Sequence, residues 1–247
     1  MTRRPGLIPS RAMVLAAGLG LRMRPLTDDR PKAMIEVDGR SLIDRAIDRL
    51  ADAGIKQIVV NLHYKASLLK SHLASREAGP AIQFSDETEL LLETGGGVRA
   101  ALDRFEGQPF FVINSDVIWL DGVQNTLLQM AARWDPEVMD ALLLMVPTVG
   151  AVGYDGTGDF TMTADGHLTR KAESRVAPYL FGGIQILDER SFVNTPDGPF
   201  SLNLLYDRAQ GRNRLFGSRH EGLWLHVGAP ESIAPAARIL KSAGGPP

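Results

Sequence analysis

The stretch Leu15-Ala16-Ala17-Gly18-Leu19-Gly20-Leu21-Arg22-Met23-Arg24-Pro25-Leu26-Thr27, followed by Pro31-Lys32, decides how this chain is read. Met13 to Ala16 is a short apolar run that predicts a buried strand, and Gly18 and Gly20 predict its break into a loop. Glycine and small residues let backbone N–H groups approach phosphate oxygens closely. Arg22 can fork onto a pyrophosphate group, and Lys32 can set a point charge beside a reacting phosphate. A surface loop with solvated charges would also carry glycines or cations. The strand, the glycines and the cations arriving together point instead to a loop that binds phosphate. Two other phosphate loops are excluded. A dinucleotide fingerprint needs a third glycine where Met23 stands, and a P-loop needs a Gly-Lys-Ser/Thr ending that is absent here.

Working outward, strand and helix alternate. Ser41 is placed to cap a helix from Leu42 to Ala53, with Leu42, Ala46, Ile47 and Leu50 on one face and Gly54 as its stop. A strand over Gln57–Leu62, a helix over 66–75, a strand over 82–84 and a helix over 96–105 follow. The apolar strand 110–113 runs into Asn114-Ser115-Asp116. Asp121 is the expected cap of a helix reaching Trp134, and 141–146 reads as another strand. Helical crossovers imply parallel strands with helices on both faces, an α/β, Rossmann-like fold. Over 148–186 the pattern changes to short strands with turns at Asp155-Gly156, Gly158-Asp159 and Asp165-Gly166, predicting a small antiparallel insertion or lobe. Segments 200–210 and 230–241 read as helical, and the Gly-Gly-Pro-Pro end as a frayed tail.

Composition fits one domain with a substantial core: 247 residues, 44% hydrophobic and 23% charged. A net charge of −2 gives no bulk attraction to nucleic acid or to anionic membrane, so neither is expected as a partner. The absence of cysteine excludes disulfides and thiolate metal sites. Arg3 and Arg4 ahead of the apolar run 12–21 imitate a secretory or twin-arginine leader. Two glycines inside that run, and Arg22 and Arg24 directly after it, argue against export, and a cytoplasmic protein is expected. No stretch is long and apolar enough to predict a membrane span.

The pattern Leu-Ala-Ala-Gly-x-Gly-x-Arg-Met-x-Pro-Leu-Thr, then Pro-Lys, resembles the signature of the sugar-1-phosphate nucleotidyltransferases. The resemblance continues through Val59-Val60-Asn61-Leu62-His63-Tyr64, Glu93-Thr94-Gly95-Gly96-Gly97, Asn114-Ser115-Asp116 and Trp224-Leu225-His226-Val227-Gly228-Ala229-Pro230-Glu231, and so spans nearly the whole chain. The first motif is the specific one and the others support it. Within the family the chain looks most like the small bacterial N-acetylmuramic acid 1-phosphate uridylyltransferases. Mannose-1-phosphate guanylyltransferases share many of the same motifs. No left-handed β-helix pattern follows, so the acetyltransferase half of bifunctional relatives is not expected.

The resemblance implies a reaction of a sugar 1-phosphate with a nucleoside triphosphate, UTP by the nearest likeness, giving a nucleotide-sugar and pyrophosphate. It implies one domain, with a nucleotide-binding part over about 11–147 and a sugar-binding part over about 148–240. Leu15, Ala16, Ala17, Gly18, Gly20, Glu93, Thr94 and Gly96 would receive the nucleotide. Arg22 would hold the pyrophosphate, Lys32 the α-phosphate, and Asp116 a Mg²⁺ ion. Asp116 also reads independently as a metal ligand, because ligands of open α/β sheets sit beyond the carboxyl ends of the strands and a hard cation takes carboxylate oxygen; turn chemistry is the other reading. The glycines after Glu93 are also those of a simple helix entry. Asn61 would contact sugar or cap a strand, and Asn114 would contact substrate. Gly183 would line the sugar pocket or belong to a plain core strand, and Lys171 would contact sugar phosphate or lie on a solvated hairpin.

One departure stands out. The family carries an aspartate, a second metal ligand, where this chain has His226, and a threonine where it has Ala229. Imidazole is a poor partner for Mg²⁺. Either Asp116 and triphosphate oxygens suffice, or His226 contacts substrate, or turnover is impaired and the chain is a nucleotide-sugar-binding protein.

Overall fold

The structure, a computed structural model, describes residues 8–244. Most of the N-terminal leader, with Arg3 and Arg4, and most of the Gly-Gly-Pro-Pro tail lie outside the described residues. In chain order the elements are β1 (Arg11–Leu15), β2 (Glu36–Val37), β3 (Arg40–Ser41), α1 (Leu42–Asp52), β4 (Gln57–Leu62), α2 (Ala66–Ala74), β5 (Ala81–Asp86), α3 (Glu93–Ala100), β6 (Phe110–Asn114) and β7 (Val117–Leu120). They continue with α4 (Thr126–Arg133), β8 (Ala141–Pro147), β9 (Ala151–Val152), β10 (Phe160–Met162), β11 (Leu168–Arg170), β12 (Tyr179–Leu187), α5 (Asn203–Gly211), β13 (Leu215–Arg219), β14 (Leu223–His226) and α6 (Ile233–Ser242).

A nine-stranded sheet forms the centre. β5, β4, β1 and β6 lie side by side and parallel. Beside β6 comes β12, antiparallel to it, and β8 pairs antiparallel with the other edge of β12. The parallel run therefore stops at β6, and β8 does not extend it. The antiparallel strands expected after residue 147 are present and continuous with this sheet: β10 and β11 extend it from the start of β12. Apolar layers cover both faces. Ile43, Ile47, Leu50, Leu69 and Leu127 from α1, α2 and α4 pack on one. Val98, Leu205 and Tyr206 from α3 and α5 pack on the other, where the rings of Phe105 and Phe110 stack 3.8 Å apart.

The helix expected from Asp121 through Trp134 starts later, at Thr126. Asp121 does not cap a helix that it opens. Val117–Leu120 is a strand, and α4 is capped by Asn125, whose side chain accepts from the Leu128 N–H at 3.0 Å. Asp121 instead accepts the Thr126 N–H at 2.9 Å from outside the helix. The reason is long-range: β7 forms by pairing antiparallel with β14, more than a hundred positions later, so that His226 lies opposite Val117.

α1 shows how local chemistry sets the frame. Ser41 Oγ accepts the Asp44 N–H at 3.1 Å and donates to Asp44 Oδ2 at 2.6 Å, satisfying an orphan donor of the first turn. Ser41→Ala should lower the unfolding free energy by about 1 kcal/mol in denaturant titration. A change within the error of the fits would show that the cap contributes nothing.

Candidate active site

The parallel strands β1, β4 and β6 all point their carboxyl ends at the same edge, where open α/β sheets place their ligands. A cavity of about 280 Å³ opens there. The end of β1 supplies Leu15, Ala16, Ala17 and Gly18; β4 supplies Asn61; β6 and its turn supply Asn114, Ser115 and Asp116. Lys32 and Ala33, with Leu91, Glu93 and Thr94 from the entry to α3, complete the wall.

The loop after β1 is tied at several points. The Ala16 N–H donates to Asn61 Oδ1 at 2.7 Å. Gly20 takes φ +65°, and a β-carbon there would stand 3.0 Å from Thr27 Cγ2 and 3.1 Å from Lys32 Cβ. Glycine thus lets the loop fold back against Lys32. Thr27 Oγ1 donates to the Gly20 carbonyl at 2.9 Å, and the Tyr64 hydroxyl to the Thr27 carbonyl at 2.9 Å. Met23, standing where a third glycine was sought, is buried with Ile35, Leu42, Leu225 and Val227 and anchors the loop from below. Among the described residues no protein acceptor takes the N–H groups of Ala17, Gly18 or Leu19.

Lys32 Nζ donates to Asp116 Oδ2 at 2.9 Å, with the side chains 14% and 26% exposed. His226 Nε2 lies 3.6 Å from the same oxygen. Burial alone would raise the Asp116 carboxyl; the His226 imidazole and the Lys32 ammonium reverse the sign and hold it well below the usual carboxylate range. Among the described residues no group of three or more His, Cys, Asp or Glu side chains is arranged to hold a metal ion.

The remaining expected residues lie outside the cavity wall. Arg22 is exposed on the single 3₁₀ turn Leu21–Met23. Gly183, at φ +74°, backs the wall: a β-carbon on it would stand 3.2 Å from Asn114 Nδ2. Gly96 is buried in α3, where a β-carbon would meet the Gly198 carbonyl at 2.4 Å, so its smallness serves packing. Lys171 follows β11; its N–H donates to the Asp159 carbonyl at 2.9 Å, and its side chain is half-buried.

Glu87 escaped the sequence reading. It is 3% exposed, and its carboxylate accepts from Asn61 Nδ2 at 2.8 Å and from the Leu92 N–H at 3.1 Å. Burial raises its carboxyl above the ordinary value, against the pull of those two bonds. An acid in Ser85-Asp86-Glu87-Thr88 looks like solvated loop. The available signal was Gly97, where a β-carbon would stand 2.6 Å from Glu87 Oε1.

Residues 11–154 match the family model described as nucleotidyl transferase. The N-acetylmuramate alpha-1-phosphate uridylyltransferase of Caulobacter vibrioides is 45% identical over 95% of this chain and 98% of its own length. The chain belongs to the nucleotidyl transferase family. It is one of the family's enzymes of sugar 1-phosphates. The enzyme of the same name from Neisseria meningitidis serogroup B is 35% identical over 88% of this chain and 93% of its own length. The crystal structure of HddC from Yersinia pseudotuberculosis shares the nucleotidyl transferase fold, with a TM-score of 0.75 at 23% identity over 93% of this chain and 99% of that one. The family generally works with a divalent metal. No helix among the described residues is long and apolar enough to cross a membrane.

The Asp116 geometry carries a pH consequence. Its folded value lies below its unfolded one, so its contribution to stability is complete above the unfolded value of about 4 and is lost as the pH falls through the folded value. Asp116→Asn should therefore melt below the parent protein at neutral pH, and the gap should narrow below about pH 4. A gap that stays constant on acidification would show that the carboxylate charge is not what Lys32 and His226 stabilise.

Proposed function

We propose that this chain transfers the uridylyl group of UTP to N-acetylmuramate 1-phosphate and releases pyrophosphate. The observation that carries the nucleotidyl transfer is the half-buried Lys32–Asp116 pair beneath a loop with free backbone N–H groups. The identities to the two uridylyltransferases support the choice of base and sugar, and the guanylyltransferase alternative is the weaker one. A phosphate oxygen of the sugar attacks the α-phosphorus, the bond to the bridging oxygen breaks in line, and pyrophosphate leaves with that oxygen. Both reactants are anions, so catalysis rests on positioning and neutralisation, and no side-chain nucleophile is needed.

In this reading Ala17 and Gly18 present N–H groups to phosphate, Lys32 holds the α-phosphate and Arg22 the departing pyrophosphate. Leu15, Ala16, Gly20, Glu93, Thr94 and Gly96 form or shape the nucleotide side. Asn61 and Asn114 line the cavity, and Gly183, Lys171 and His226 belong to the sugar side. The chain works as one domain, with nucleotide bound over about 11–147 and sugar over about 148–240. Use of a nucleoside triphosphate places the reaction in the cytoplasm, and the product class places it in the recycling of cell-wall sugar.

Mg²⁺ fits the residues present. Asp116 is held ionised beside Lys32 and His226, and its carboxylate would hold the cation together with oxygens from water and phosphate. When bound, it would neutralise phosphate charge. His226, next to the same carboxylate, would leave coordination to oxygen.

Pyrophosphate release from UTP with a panel of sugar 1-phosphates tests the reading directly; preference for GTP with mannose 1-phosphate would replace it. Lys32→Ala and Arg22→Ala should each lower kcat by about 100-fold or more with the circular-dichroism spectrum kept. Near-parental turnover in both would remove the phosphate roles. His226→Asp should lower the Mg²⁺ concentration needed for half-maximal turnover, because it adds an anionic oxygen beside the ion. A destabilised variant with no gain in Mg²⁺ response would make the histidine structural.

A further inference from the structure

Glu87 does not line the cavity, yet two of the cavity's walls are fastened to it. The Leu92 N–H and Asn61 Nδ2 both donate to its carboxylate, and Asn61 Oδ1 in turn receives the Ala16 N–H. These bonds form one continuous chain from the α3 entry, which supplies Leu91, Glu93 and Thr94, to the loop that supplies Ala17 and Gly18.

The direction of every bond depends on the carboxylate. An asparagine amide has a donor end and an acceptor end. With two acceptor oxygens at Glu87, the Nδ2 end must face it, and the Oδ1 end must face Ala16. Turning the amide over would set donor against donor at Ala16 and oxygen against oxygen at Glu87. Glu87 is itself fixed by its N–H donating to the Leu62 carbonyl at 2.7 Å, and its fit depends on the missing β-carbon of Gly97.

The chain crosses where the β1–β4 pairing has ended: that register stops at Val14 and Val60, before Ala16 and Asn61, while β4 stays paired with β5 through Asn61–Ser85 and Leu62–Asp86. The start of α3 is separately tied by the Gly95 and Gly96 N–H groups to the Phe200 carbonyl and by Thr94 Oγ1 to the Leu202 N–H. Removing the Glu87 acceptor therefore leaves sheet and helix in place and frees only the two cavity walls to shift against each other.

We propose that Glu87 is a positioning residue for the nucleotide: through Asn61 it sets the phosphate loop at a fixed distance from the 91–94 rim. The inference rests on the nucleotidyl-transfer reading above. Its effect is on nucleotide binding, since Lys32 and Asp116 are held by other contacts.

Glu87→Gln keeps the shape and turns one acceptor into a donor that faces another donor. It should raise KM for UTP about tenfold while kcat stays within about twofold, because one buried hydrogen bond is lost from the binding wall. KM for the sugar 1-phosphate should not move. Asn61→Ala cuts the same chain in the middle and, because Asn61 also lines the cavity, should raise KM for UTP at least as far. The double variant should be no worse than the poorer single one, because both act through one chain. Amide hydrogen exchange provides a second readout: protection of the Ala16 N–H should fall in both variants while that of β1 and β4 persists. An unchanged KM for UTP in Glu87→Gln, additive effects in the double variant, or a rise in KM that Glu87→Gln shares equally between both substrates would overturn the proposal. If Glu87→Gln does not fold, Glu87→Asp, which withdraws the carboxylate by one methylene, carries the same comparison. Failure of the functional reading shows separately, in the parent protein: no nucleoside triphosphate bound or consumed, and the proposal then falls with it.

Discussion

A lysine ammonium and an aspartate carboxylate share the open end of the central sheet, and much of the chain is arranged to keep them there. Each charge alone would lose hydration in so closed a place; together, 2.9 Å apart, they offset one another before any substrate arrives. Lys32 is delivered by a turn that Gly20 allows to fold back against it, and Asp116 by the end of β6. His226 reaches the same oxygen from the far end of the chain, carried on β14. The indole N–H of Trp224 on that strand donates to the Gly182 carbonyl at 2.9 Å, fastening the strand to β12. The site is thus a meeting of early and late sequence, and the third apolar cluster, with Met23, Leu225 and Val227 in contact, is its mechanical support.

What could be read from sequence followed the range of the forces involved. The strand over Gln57–Leu62 and the Ser41 cap are written in neighbouring residues: apolar runs, a hydroxyl three positions ahead of an N–H, a glycine after the helix. The phosphate loop was legible because glycines, cations and a strand end are all local. β7 was not, because Val117–Leu120 becomes a strand only when β14 pairs with it. Nor was the place of β12, which separates β6 from β8 and ends the parallel order that alternation alone suggests. Glu87 was missed for a different reason: composition treats an acid after a strand as solvated, and only the tertiary fold puts an amide, an N–H and a bare glycine around it.

The residues around the cavity divide by what holds them. Asn61 has both ends of its amide occupied by protein, and Glu87 has both oxygens occupied, so these two serve the frame. Among the described residues no protein group accepts from the Ala17 and Gly18 N–H groups, and Arg22 stands exposed further along the same loop. Free donors mark the groups that a ligand must complete, and the bonded ones mark the groups that keep the ligand's place.

The insertion of β12 between β6 and β8 has a consequence for how the protein is made. β6, with Phe110, Phe111, Val112 and Ile113, is complete long before Tyr179–Leu187 leaves the ribosome. Throughout that interval the growing chain carries a parallel half-sheet whose strand β6 is apolar up to Asn114 and has an unpaired hydrogen-bonding edge. Such an edge accepts any extended strand offered to it, including one from a neighbouring nascent chain. That exposure lasts through synthesis of the antiparallel part, and the pairing of β12 with β6 is the step that ends it.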